Sequence, residues 1–162
     1  MAKKGKKAPQ MEGGVLVAAV NKKARRDYEV LEKFEAGLSL LGSEVKSVRE
    51  GGVNLKESYV REKQGELFLV QCHISPYAHS PVDAHNPTRE RKLLMKRSEI
   101  DRLIGKVKEK GLSLVPLRLY FKRGRLKLEL ATGRGKKLYD KRRDEKSRAA
   151  DRTIQAKLKH SG

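Results

Sequence analysis

The chain has 162 residues, 39 of them Lys or Arg against 20 Asp or Glu, for a net charge of +19. With a single cysteine, Cys72, it can form no internal disulfide, which fits a reducing cytosol. No stretch approaches the ~20 apolar residues of a spanning helix. The apolar run 15–20 is also too short and wrongly flanked for a signal peptide, so the expected location is cytoplasmic.

The charge is unevenly placed. Residues 1–26 hold eight basic side chains and one acidic, and residues 132–162 hold eleven and four. The centre, 27–131, is closer to balance, with twenty against fifteen. A near-neutral centre with basic ends is the electrostatic footprint of a polyanion binder. Neither end has the bulky apolar face that an interfacial membrane helix needs.

In chain order, residues 1–14 are polar and rich in Gly and Lys, and are expected to be a disordered arm. From Tyr28 the pattern has period two. Tyr28, Val30, Phe34, Ala36, Leu38 and Leu40 fall on one face, with Glu32 out of place, which predicts a long strand bent near Gly37. Ser43 offers a helix N-cap, Leu41, Val45 and Val48 share a helical face, and Gly51-Gly52 end it. Segments 59–63 and 66–74 flank Gln64-Gly65 and read as a hairpin, with Phe68, Val70, Cys72 and Ile74 pointing one way.

Residues 75–90 hold three prolines and read as a long exposed loop. Ser98 opens a second helix with the stripe Ile100, Leu103, Ile104 and Val107, closed at Gly111. Segments 112–121 and 126–130 form a second hairpin, with Val115, Leu117, Leu119 and Phe121 on one side. Beyond Ala131 the apolar density collapses. Ala150, Ile154 and Leu158 form one thin stripe, too little to hold an isolated helix, so the tail is expected to fold only on a partner.

These elements predict a mainly β protein with flanking helices: a small antiparallel barrel of the oligonucleotide-binding type spanning 15–131. A basic arm at 1–14 precedes it and a basic tail at 132–162 follows it.

Catalytic and metal chemistry find no candidate site. Cys72, His73, His79 and His85 match no zinc spacing. Adjacent strand residues Cys72 and His73 point to opposite faces, so they make no nucleophile–base pair. Gly133-Arg134-Gly135-Lys136-Lys137 lacks the spacing of a phosphate loop. No enzyme, metal or cofactor is expected. Three cationic clusters do stand out: Lys22, Lys23, Arg25 and Arg26; Arg89, Arg91, Lys92, Lys96 and Arg97; and Lys136, Lys137, Lys141, Arg142 and Arg143 around Tyr139. Cations tracking phosphates beside an aromatic that can stack on a base are the usual means of gripping unpaired RNA.

Four collinear stretches go further: NKKARRDYEV at 21–30, GSEVKSVREGGVNLKESYV at 42–60, NPTRERKLLMKRSEI at 86–100 and GKKLYDKR at 135–142. With LVPLRLYF at 114–121, they resemble the SsrA-binding protein (SmpB) family over nearly the whole chain from about residue 15. The resemblance implies a barrel that grips the tRNA-like part of transfer-messenger RNA (tmRNA) and carries it to stalled ribosomes for trans-translation. It implies a tail that folds in the decoding centre and the empty mRNA channel, and delivery by elongation factor Tu. Matched residue by residue, it implies RNA contacts at Tyr28, Glu35, Glu44, Lys46, Lys92 and Leu94. Gly135, Lys136 and Lys137 would lead to the ribosome, with Tyr139, Asp140, Lys141 and Arg142 at the decoding centre. The residues alone leave alternatives: Tyr28 as core, Leu94 as a loop anchor, Glu44 as a structural carboxylate at a helix start. A barrel-type ribosomal or initiation-factor-like protein that binds ribosomal RNA is the competing function.

Overall fold

The computed structural model describes residues 9–79 and 85–136, together with 142, 146, 148–150, 152 and 153. The strands are β1 (Gln10–Glu12), β2 (Val15–Val20), β3 (Tyr28–Leu38), β4 (Val53–Asn54), β5 (Tyr59–Lys63), β6 (Glu66–Val70), β7 (His73–Ile74), β8 (Arg91–Leu94), β9 (Ser113–Lys122) and β10 (Arg125–Gly135). Among the described residues, the helices with continuous bounds are α1 (Lys22–Asp27), α2 (Gly42–Arg49) and α3 (Arg97–Lys110). Eight strands form one antiparallel sheet in the order β1-β2-β9-β10-β3-β8-β6-β5, and β4 pairs with β7 separately. Edge strand β5 packs back against β9, so the sheet curls into the expected barrel-like form around its buried side chains.

Three hairpins turn on two residues that both have positive φ: Gly13-Gly14, Gln64-Gly65 and Arg123-Gly124. That is the turn whose twist matches paired strands. Leu67, Leu69, Leu93, Leu103, Leu119, Leu128 and Leu130 are almost fully buried in the main core, closed on one side by α3. Gly111, with φ of 63°, ends α3 by donating its N–H to the Val107 carbonyl at 3.1 Å.

Several expectations need revision. Residues 10–12 of the expected disordered arm form β1, paired with β2. The basic run at 22–27 is a helix, because the Asn21 side chain accepts the Ala24 N–H at 3.2 Å and caps it. α2 starts at Gly42, ahead of the proposed Ser43 cap, and Glu44 reaches back to accept the Leu41 N–H at 2.9 Å. The strand expected over 66–74 breaks at Gln71, whose φ of 57° sends His73–Ile74 to pair with β4. Leu67 and Leu69 take the innermost positions of β6, while Phe68 is half-buried. α3 starts at Arg97, with Lys96 rather than Ser98 at its N-cap.

The second hairpin is longer than its apolar pattern, since β10 continues through buried Thr132 and Gly133 to Gly135. Its partner carries a bulge: Glu129 pairs with Arg118 but Leu130 pairs with Pro116, leaving Leu117 extra. Pro116 has no N–H to offer a ladder and so suits this irregularity. The bulge divides the expected single face. Leu119 and Phe121 join the main core, whereas Val115 and Leu117 join a smaller one with Ala24, Tyr28, Val30 and Ala131. Buried Asn21 fastens the bulge, donating its backbone N–H to Leu117 at 2.7 Å and its side-chain amide to Pro116 at 2.9 Å.

Candidate nucleic-acid interface

Asn21 joins α1 to the barrel, and α1 displays Lys22, Lys23, Arg25 and Arg26 to solvent. The end of β10 lies beside this helix. Gly135 pairs with Tyr28, and the Lys136 N–H donates to the Asp27 carbonyl at 2.9 Å. α1 and the adjoining Tyr28 are thereby brought together with the sequence-distant Gly135-Lys136 at one end of the barrel. Arg142 is exposed with helical backbone, as are Arg148 and Arg152. Lys137, Tyr139, Asp140 and Lys141 lie outside the described residues.

Tyr28 is half-buried and belongs partly to the smaller core, so it has both a packing role and an open edge. Glu35 lies mid-strand on β3. Its carboxylate accepts the Tyr120 hydroxyl and, at 3.4 Å, Lys122. The Tyr120 hydrogen bond, aided by Lys122, holds this carboxyl below its usual range despite partial burial. Burial and the Glu35 charge push the Tyr120 phenol upward, and the Arg118 guanidinium lies 4.9 Å from its ring centre. Glu35 is therefore charged and oriented by neighbours of the same sheet.

Lys92 and Leu94 are exposed on β8, and Leu94 pairs with Gly37 of β3. An added Cβ at Gly37 would meet the Leu94 Cβ at 3.3 Å, so the two strands approach closely beneath this outward leucine. Lys46 is exposed on α2, its ammonium 5.6 Å from the centre of the Tyr77 ring.

Glu44, expected either as an RNA contact or as a structural carboxylate, takes the structural position, and Arg91 of the second cationic cluster is its buried partner. Both side chains are fully buried, with Arg91 Nη2 2.6 Å and Nε 2.7 Å from Glu44 Oε2. Arg91 also donates to the carbonyls of Cys72 and, at 3.1 Å, Pro87, while Arg89 donates to the other Glu44 oxygen. Burial alone would raise the Glu44 carboxyl. Arg89, the Leu41 N–H and Arg91 together bring it below its ordinary value. Neither group presents surface to a ligand; the cluster instead ties α2, β8 and the segment before β8 together. His85, expected in an exposed loop, is also buried, between the Ser43 hydroxyl at 3.1 Å and the Ile74 carbonyl at 2.9 Å.

Sequence reasoning gave no individual role to Lys56 and Tyr59, which stand exposed beside α1 and Tyr28. Both lie within the quoted stretch 42–60, but only the folded register brings them to this end. Among the described residues no helix is long and apolar enough to cross a membrane.

A family model described as SmpB protein matches residues 18–160. An SsrA-binding protein of Syntrophobacter fumaroxidans (strain DSM 10017 / MPOB) is 58% identical over 136 residues, covering 82% of this chain and 84% of that protein. Another, from Sulfurihydrogenibium sp. (strain YO3AOP1), is 52% identical over 143 residues, covering 88% and 94%. A solved chain described as "tmRNA-SmpB: a journey to the center of the bacterial ribosome" matches with a TM-score of 0.62 at 48% identity, covering 84% of this chain and 94% of that one. The match runs from the second strand through the basic C-terminal segment, and the chain belongs to the SmpB family.

Proposed function

We propose that this protein binds tmRNA through its barrel and carries it to stalled ribosomes, where it supports trans-translation. The observation that carries this reading is the continuity of the likeness to SsrA-binding proteins, 58% identity over 136 residues in one case. The solved relative is itself SmpB described with tmRNA and the bacterial ribosome. The protein acts by binding and not by catalysis, in the cytoplasm where ribosomes work. Elongation factor Tu joins it indirectly, through the charged RNA.

Within this reading the barrel, from about residue 15, grips the RNA with Tyr28, Glu35, Lys46, Lys92 and Leu94. Glu44 contributes by holding Arg89 and Arg91 in place, a role its burial supports. The basic segment after β10 serves the ribosome, Gly135, Lys136 and Lys137 leading Tyr139, Asp140, Lys141 and Arg142 to the decoding centre and mRNA channel. Residues 1–9 are a basic lead without an assigned role.

The test is a chain ended after Lys136. An earlier end, at Ala131, would cut into β10 and remove the pairing of residues 132–135 with β3 and of 132 and 133 with β9. The shortened protein should keep tmRNA binding and lose peptide tagging on stalled ribosomes. Loss of tmRNA binding with the barrel still folded would refute this division of labour.

A further inference from the structure

A helix leaves its last carbonyls without partners of its own. At the end of α1 the Tyr28 N–H closes on the Ala24 carbonyl. The next carbonyl, that of Arg25, accepts two side chains from the C-terminal segment, the Lys136 ammonium and the Arg148 guanidinium, each at 3.4 Å. Long basic side chains that donate to the final carbonyls are a common way to finish a helix. Here the donors stand 111 and 123 positions further along the chain. Residues 148–150, 152 and 153 have helical backbone. The Arg152 and Thr153 side chains donate to carbonyls four residues back, at 3.4 and 3.0 Å. Arg148 also walls a cleft of about 530 Å³ together with Lys22, Lys23, Arg26 and Lys56.

We propose that α1 is a docking site for the chain's own C-terminal segment, which rests there through Arg148 in the free protein and leaves when a polyanion captures it. This rests on the reading that the segment serves the ribosome, and adds where it waits beforehand. The occupant is identified by the contact itself, since Arg148 is seated on the Arg25 carbonyl. The segment's apolar stripe is too thin to hold an isolated helix, so a helical turn there needs an outside contact, and Arg148 supplies one. The hold is weak by construction. Both bonds to Arg25 are long and exposed, and among the described residues the cleft's charged walls are all cations. Phosphates of an RNA surface offer the segment the attraction that this cleft withholds. Docking thus keeps the basic segment beside the barrel, and off indiscriminate RNA, until a better surface competes for it.

The test uses the full chain with spin labels at Ala150→Cys and Asn54→Cys, and pulsed electron resonance to read the distance between them. Both positions are exposed, and Asn54 lines the same cleft as Arg148. Cys72 is fully buried and takes no label. The free protein should show a narrow short-distance population. Arg148→Ala should convert most of it to a broad, longer distribution, while the tie through Lys136 remains. Raising salt from about 0.05 to about 0.3 M should enlarge the short population, because screening relieves the repulsion among the cations. Small ribosomal subunits with an empty mRNA channel should abolish it at low salt.

A broad distribution in the free protein would overturn the proposal, as would equal distributions with and without Arg148→Ala. Loss of the short population as salt rises would also overturn it, since attraction between opposite charges would then hold the segment. A short population that persists on subunits which have bound the protein would overturn the release. Binding to the subunits is measured in parallel by co-sedimentation. Its absence would defeat the ribosome reading, whereas the Arg148 comparison decides the docking.

Discussion

Arg91 and Glu44 meet 47 positions apart in sequence with neither side chain exposed, Nη2 standing 2.6 Å from Oε2. A guanidinium one residue from an exposed lysine, in a strongly basic stretch, has become an internal tie. Its remaining donors reach the carbonyls of Cys72 and Pro87, so β8 is fixed against its neighbours while Lys92 and Leu94 on the same strand face outward.

Removing one partner strands the other as an uncompensated buried charge. Glu44→Ala or Arg91→Ala should each cost about 3–5 kcal/mol of folding stability. Arg91→Lys should recover little, because one ammonium cannot replace a fork that serves three acceptors. Urea unfolding checks this, and RNA binding should fall only as far as the folded fraction does.

The same cluster sets a pH dependence. Glu44 is held below its ordinary value of 4.5 in the folded state, and Glu35 and Glu32 are shifted the same way. Such groups bind protons more readily when unfolded, so their stabilisation is complete above the ordinary value and is lost as pH falls through the depressed one. The urea midpoint should therefore decline from about pH 5 downward. Glu44→Gln, less stable at neutral pH, should show a shallower decline. An equally steep decline in that variant would remove Glu44 from the explanation.

Two glycines should respond oppositely to alanine. At Gly52 an added Cβ would stand 2.4 Å from Ser47 Oγ and 3.0 Å from the Ser47 carbonyl, where Ser47 already donates to the Ser75 carbonyl at 2.6 Å. Gly52→Ala should cost about 1–3 kcal/mol through overpacking. Gly42, in the first turn of α2, meets nothing within 4 Å, so Gly42→Ala should be neutral or stabilising by up to about 1 kcal/mol. Thermal melts of the two variants decide.

Cys72 should resist modification. It is fully buried, and burial pushes its thiol up to about 12 despite the nearby Arg91. A thiol reagent at pH 8 should react with the folded protein only at the rate of opening, and at once in denaturant.

The barrel and α3 were legible because long period-two and helical patterns report burial directly. Other features were hidden by tertiary causes. α1 is six residues of mostly cations, held by the Asn21 cap and one buried alanine, Ala24. β8 alternates Arg91 and Leu93 inward with Lys92 and Leu94 outward, a pattern that reads as no strand until Arg91 is known to be neutralised. The bulge at Leu117 and the turn at Gln71 each shift a register by local geometry, without disturbing the apolar content. Among the expected RNA positions, Tyr28, Glu35, Lys46, Lys92 and Leu94 keep accessible surface and Glu44 does not. Both charged partners stood in conspicuous motifs, so sequence could not separate a cation that greets phosphate from one that satisfies a buried carboxylate.

The central claim is that this protein's RNA is tmRNA. The most direct measurement is to sequence the RNA retained by the full-length protein purified from its own cells at moderate salt. One dominant RNA with a tRNA-like end and an internal reading frame is the predicted result, released progressively as salt rises, as phosphate contacts require. Ribosomal RNA in stoichiometric amounts from every ribosome, stalled or not, with no enrichment of such an RNA, would contradict it.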